Sequence, residues 1–353
     1  MILRKENIHI FGVTALLAIF VCSCDKLPDT VEVSDIPNYY FNNNYLDNRV
    51  KAINDAIADC SDGCESFFWI TDIHWEPDLN TRKSPALIKY ISSQTGIEKI
   101  INGGDTGNSQ VICENAIAQL RRAISSDKVY TVTGNHEIND ASRYESPFMR
   151  VADELRGHNS DIIYGDGDKS FFYFDSQSSK TRYVGLSSYR LFLDNDYESG
   201  YTEEQLSWFR DEALNVQSDW TIIIFTHSLY QVGNSSNELV TGPSGAKAFI
   251  DAIDNYRGNG KIACVLIGHS HRDRIHIGES GVPYIISASD RHASHKGDIN
   301  VNRTPGTISE QHFEAVVIDK GKRQIKLFSI GANSRNGLED DPGEEVDVRI
   351  VNY

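Results

Sequence analysis

The chain has 353 residues, 40% hydrophobic and 24% charged, a balance that permits a large core and excludes wholesale disorder. Its formal net charge of −16 argues against indiscriminate binding to a nucleic-acid backbone, which needs a positive surface, so no long nucleic acid is expected as a partner. Small anionic substrates stay open, because a bound metal reverses the local field.

The N-terminus comes first. Arg4 and Lys5 precede an apolar stretch from Ile10 to Val21, too short for a comfortable membrane span and suited to a signal-peptide core. It ends in Val21-Cys22-Ser23-Cys24, which resembles the bacterial lipoprotein signal. That resemblance implies removal of residues 1–23, a lipid on Cys24, and an exported protein held at a membrane of the cell envelope. Ordinary cleavage nearby and an uncleaved anchor are the alternatives. Residues 24–43, rich in Asn, Asp, Pro and Tyr, read as a tether or extended arm, and 44–353 as a single domain.

From there strands and helices alternate. Leu46 to Ala58 has helical spacing, Phe67 to Ile70 reads as a buried strand, and Pro85 to Ser92 as a helix. A short strand at 99–101, a helix at 116–124 and a strand at 129–133 follow, the pattern of βαβ units in a largely parallel sheet. Residues 171–175 and 182–187 look like a hairpin, and Thr202 caps a helix running to Leu214. The apolar runs 220–225 and 262–267 read as strands covered on both faces. After Gly268 the chain is strand-rich: 275–277, 283–287, 313–318, 324–328 and 346–351. Cys60 and Cys64 flank a turn-like spacer and can pair in an oxidising compartment or stay reduced; Cys113 and Cys264 read as core.

Five of these strands end alike. The first runs into Thr71-Asp72-Ile73-His74, the second into Gly103-Gly104-Asp105, and the third into Gly134-Asn135-His136-Glu137. The run at 220–226 ends at His227, and that at 262–267 in Gly268-His269-Ser270-His271. Carboxyl ends of strands are where α/β sheets bind ligands, so the clusters are expected to converge. Imidazoles and carboxylates without paired thiolates suit Zn, Fe or Mn, and two such ions about 3.5–4 Å apart can activate a hydroxide for in-line attack. The single residue inside Asp72-x-His74 and His269-x-His271 puts each pair on one side of an extended segment, and the glycines before Asp105, Asn135 and His269 allow tight turns.

In these segments the sequence resembles the calcineurin-like metallophosphoesterases, directly over residues 66 to 271. The resemblance implies an α/β fold of two mixed β-sheets flanked by helices and hydrolysis of a phosphate monoester or diester. It further implies two metal ions (Mn, Zn or Fe), one held by Asp72, His74 and His271, the other by Asn135, His227 and His269, with Asp105 bridging. His136 would then protonate the leaving oxygen or stabilise charge on the phosphoryl group, and Glu137 would orient His136. No tyrosine stands close after Asp105, unlike the purple-acid-phosphatase branch. Arg143 and His292 are candidate substrate contacts, and no protein partner is implied. A non-catalytic binding protein on the same fold is the alternative; a metalloprotease lacks support, since HExxH is absent.

Overall fold

Along β1 (Cys64–Ile70) the side chains of Phe68 and Ile70 enter one buried cluster while Phe67 and Trp69 enter another. This period-two alternation with both faces apolar puts the strand between two covering layers. The structure, a computed structural model, describes residues 30–61, 63–76, 83–124, 127–139, 159–165, 171–191, 197–232, 239–290, 304–332 and 348–353. The leader 1–23, Cys24, Arg143 and His292 lie outside the described residues.

The strands in chain order are β1, β2 (Ile100–Asn102), β3 (Val129–Thr131), β4 (Ile163–Tyr164), β5 (Phe172–Ser176), β6 (Thr181–Leu186), β7 (Tyr189–Leu191), β8 (Tyr197–Ser199), β9 (Thr221–Thr226), β10 (Tyr230–Val232), β11 (Leu239–Thr241), β12 (Lys261–Ile267), β13 (Arg274–Ile277), β14 (Pro283–Ile286), β15 (His312–Asp319), β16 (Gln324–Gly331) and β17 (Val348–Asn352). One sheet has the order β17-β16-β15-β1-β2-β3, parallel from β1 to β3 and antiparallel beyond. The other has the order β13-β14-β12-β9-β6-β5-β4, with a parallel centre and antiparallel edges.

The fold is therefore the α/β sandwich of two mixed sheets that the family resemblance implied, and not the one largely parallel sheet read from the alternation of elements. The β5–β6 hairpin and the C-terminal meander supply antiparallel pairs, as do β1–β15, β4–β5 and β13–β14. Phe67, Trp69 and Tyr130 from the first sheet meet Phe172, Tyr183, Phe225 and Leu266 from the second in a buried apolar layer between them. Burying each such side chain contributes roughly 1.5–3 kcal/mol. The outer face of the first sheet packs on α1 (Tyr45–Ala58), α2 (Lys83–Thr95) and α3 (Gln110–Ile124). A short α4 (Asn135–Asn139) follows β3. The second sheet is covered by α5 (Glu203–Trp208), continued by a π turn, and by α6 (Ala246–Asp254). Thr202 caps α5, its hydroxyl accepting from the Gln205 amide at 3.2 Å.

Residues 30–43 are not an extended arm. Val31, Ile36 and Tyr40 are buried in the helix-side core, and the Tyr40 hydroxyl donates to the Ile308 carbonyl at 3.1 Å. Val31 and Ile36 flank one 3-10 segment, Val33–Asp35, and Tyr40 sits on a second, Asn38–Asn44, so these apolar residues lack α-helical spacing. Cys60 and Cys64 form a disulfide, and Cys113 and Cys264 are free and buried. Among the described residues no helix is long and apolar enough to cross a membrane.

Candidate metal centre

The two sheets present the carboxyl ends of β1, β2, β3, β9 and β12 to one point, and there the backbone leaves regular structure. Asp72, His74, Asp105, His269 and His271 have φ of 52°, 44°, 50°, 66° and 53°. Non-glycine residues seldom adopt this left-handed conformation, which costs of order 1 kcal/mol or more each. The x-spaced pairs are thus not on extended segments. Left-handed turns at alternate residues aim the side chains inward instead. Cross-loop hydrogen bonds hold the turns: Asp72 N to Gly104 O at 2.9 Å, His74 N to Asp105 O at 2.9 Å, and Gly268 N to His227 O at 3.0 Å. Two glycines are needed for close approach. A Cβ on Gly134 would stand 2.2 Å from Asp105 Oδ1, and one on Gly268 would stand 2.1 Å from Thr71 Oγ1.

The expected ligands converge in two groups that share Asp105. In the first, His271 Nε2 lies 3.1 Å from Asp72 Oδ1 and 3.1 Å from His74 Nε2, which is 4.0 Å from Asp105 Oδ2. In the second, Asn135 Oδ1 lies 3.2 Å from His227 Nε2 and 3.0 Å from His269 Nδ1, and His227 Nε2 is 3.4 Å from Asp105 Oδ2. The His227 Nδ1–H donates to the Gly103 carbonyl at 2.8 Å, which leaves Nε2 to face the site.

The electrostatics show why such a cluster calls for cations. Burial would raise the Asp72 carboxyl, yet His271 beside it holds it far below the usual range. Burial likewise opposes the charge on Asp105, which His227 nonetheless keeps low. For His227 burial acts downward, but the Asp105 carboxylate pushes the imidazole up to about 10. His74 and His269 are pressed down to about 4, chiefly by burial, and so are neutral donors. Asp72 Oδ1 is buried and faces His271 Nε2 at 3.1 Å, and a second imidazole nitrogen, His74 Nε2, lies 3.1 Å from that one. A buried carboxylate oxygen with converging nitrogen donors fits a borderline divalent ion.

His136 and Glu137 part company. His136, one-third exposed, places Nε2 3.8 Å from Asp105 Oδ2 and its ring edge-on to His74, with centroids 4.6 Å apart. Its Nδ1 lies 2.6 Å from Asn108 Oδ1. The Glu137 carboxylate is turned away, accepting from the backbone N–H of Gly134 at 2.7 Å, of Asp105 at 3.0 Å and of Thr106. Burial first, and then Asp105, raise its pKa to about 7. The expectation that Glu137 orients His136 is therefore corrected. Both residues lie on α4, where adjacent side chains diverge, so Glu137 cannot reach its neighbour's ring. Asn108 takes that place. A second residue that the motifs did not mark is Tyr189, whose hydroxyl is 3.4 Å from His269 Nε2.

An α/β sandwich with two ligand groups joined by one carboxylate is the architecture of dinuclear metallohydrolases. The family model of the calcineurin-like phosphoesterases matches residues 66–273, more than half of the chain. The chain belongs to that family and is a phosphoester hydrolase. Its fold is similar to that of a dimetal phosphatase from Danio rerio, at 14% identity and a TM-score of 0.51, covering 83% of this chain and 100% of that one. It is also similar to a purple acid phosphatase from yellow lupin (Lupinus luteus) seeds, at 11% identity and a TM-score of 0.51, covering 83% of this chain and 54% of that one. No curated protein matches the sequence.

Proposed function

We propose that the protein is a dinuclear metal-dependent phosphatase or phosphodiesterase, exported and anchored through Cys24. The observation that carries the catalytic part is the position of Asp105, which clusters with His227 and His269 and reaches the other group through His74, whose Nε2 is 4.0 Å from Asp105 Oδ2. Asp72, His74 and His271 would hold one ion and Asn135, His227 and His269 the other. When bound, the pair of ions supplies positive charge against the phosphoryl oxygens and acidifies a water nucleophile.

The remaining work falls to the chain's own residues. His136 stands at the open side of the site, with its Nδ1–H donated to Asn108 Oδ1, so in the imidazolium form the Nε2–H is the one free to protonate the departing oxygen. Tyr189 fixes the unused nitrogen of His269, and Gly103 that of His227. Neither role requires a particular leaving group, so the reading covers monoesters and diesters alike. The anchor rests on the Cys22-Ser23-Cys24 segment after an apolar stretch.

The test compares hydrolysis of p-nitrophenyl phosphate and bis(p-nitrophenyl) phosphate by metal-stripped protein reloaded with Mn or Zn, with Asp105→Asn alongside. Turnover that needs metal and vanishes in the variant supports the proposal; undiminished turnover in Asp105→Asn rejects it. For the anchor, mass spectrometry of the mature N-terminus reads the lipid on Cys24 directly, and an unmodified cleaved chain refutes it.

A further inference from the structure

At the opposite end of β9 and β12 from His227 and His269 the two sheets open onto a cavity of about 430 Å³. Six residues of strand separate this cavity from the metal centre, roughly 20 Å at about 3.3 Å per residue. Its walls carry Lys180, Lys261, Lys320 and Arg323 against one acidic side chain, Asp219. Lys180 is paired with that acid. No described carboxylate lies within ion-pairing distance of Lys261, Lys320 or Arg323. The Lys320 ammonium is pinned by two neutral acceptors, the carbonyls of Lys180 at 3.0 Å and of Ser179. Those bonds fix the ammonium without neutralising it, and burial pushes its pKa down.

This is a local reversal in a chain with 50 acidic and 34 basic residues. Three cations without a salt-bridge partner gather in one cleft, Lys320 meeting Glu65 and Asp219 only at longer range, and the cleft focuses a positive field that favours an anion. The donor set is also specific in kind. One planar guanidinium and two ammonium groups match phosphate oxygens, the guanidinium in two-pronged fashion. A cavity of this size accepts a small molecule and is not limited to a bare ion.

We infer that the cleft between Lys261, Lys320 and Arg323 is a second anion site, separate from the metal centre, that binds a phosphate-bearing ligand. The inference does not depend on the metal centre being catalytic.

The test is equilibrium dialysis of the full chain, dialysed free of metal, against radiolabelled inorganic pyrophosphate. The proteins compared are the wild type, Lys261→Ser/Arg323→Ser and Asp105→Asn. Lys261 and Arg323 are exposed, so the double variant keeps its core, which an unchanged melting temperature verifies. Saturable binding is expected in the wild type, about tenfold or more weaker in the double variant and unchanged in Asp105→Asn. Absence of saturation at millimolar pyrophosphate overturns the assignment, as does equal binding by the double variant. Loss in Asp105→Asn alone also overturns it, by placing the anion at the metal centre. Flotation with phosphatidylglycerol and phosphatidylcholine vesicles then identifies the source of the phosphate. Retention on the anionic vesicles that the double variant loses assigns it to a lipid headgroup, and no retention assigns it to a soluble ligand.

Discussion

Nδ1 of His136 lies 2.6 Å from Oδ1 of Asn108, a partner from the loop after β2 rather than from its own helix. A carbonyl-type acceptor at that distance selects the tautomer with hydrogen on Nδ1 and holds the ring edge-on to His74. Asn108→Ala removes this without touching a metal ligand. We expect kcat to fall by about 10–100-fold with little change in KM or melting temperature. Asn108→Asp, which keeps the acceptor, restores most of the rate. Equal losses in the two variants would show that the contact does not orient the acid.

Glu137 calls for the opposite pattern. Its buried carboxylate takes the amide hydrogens of Gly134, Asp105 and Thr106, stitching the second and third ligand loops together. Removing it leaves buried N–H groups unpaired, at about 1–3 kcal/mol for each that water cannot reach. Glu137→Ala should therefore lose several degrees in melting temperature and bind metal more weakly. Glu137→Gln retains one acceptor oxygen and falls between. A Glu137→Ala protein with unchanged thermal stability and reduced kcat alone would return the residue to the role of His136's partner.

The contrast between these two residues shows what was legible in the sequence. All seven expected ligands are brought to one place, because each follows a strand whose apolar run marks its end, as Ile262 to Ile267 does before Gly268-His269. The side-chain directions were not legible. They depend on left-handed backbone at Asp72, His74, Asp105, His269 and His271, imposed by pairing between loops far apart in sequence. α4 is five residues long, too short for a periodic signal, so Glu137 was assigned by adjacency alone. α6 buries Phe249 and Ile253 at helical spacing over only nine residues, and the ribbons β7–β8 and β10–β11 have three-residue strands, all too short for a strong periodic signal. Tyr189 was missed because its strand end, after β6, carries no metal-type side chain.

The Cys60–Cys64 disulfide closes a very small loop between α1 and β1. In the chain-entropy view a loop of this size contributes about 2 kcal/mol. Cys60→Ser/Cys64→Ser should lower the chemical denaturation midpoint by a corresponding amount while leaving hydrolysis of aryl phosphates at the wild-type rate. The same shift should appear when the wild type is unfolded in reductant. An unchanged midpoint in both experiments would mean that the bridge does not form in solution.

Metal uptake should release protons, and the sign follows from His227. Burial works against its charge, yet the Asp105 carboxylate raises its pKa to about 10, so in the metal-free protein it carries a proton at neutral pH. A cation held by Nε2 needs the lone pair that this proton occupies. His74 and His269, pressed down to about 4, are already neutral and release nothing. Apparent metal affinity is thus expected to rise with pH through neutrality and to level off near pH 10. Stability of the metal-free protein runs the other way: the His227 contribution is complete below pH 6.5, the ordinary imidazole value, and is lost as pH rises through about 10. Calorimetric titration of Mn or Zn at pH 7, repeated in buffers of different ionisation enthalpy, counts the protons. About one proton per protein at the Asn135–His227–His269 group is the expected result, and it should persist in a His271→Ala variant, which disables the other group. A count of zero at pH 7 would mean that His227 is neutral before metal arrives, and that the Asp105 pair is weaker than a separation of 3.4 Å implies.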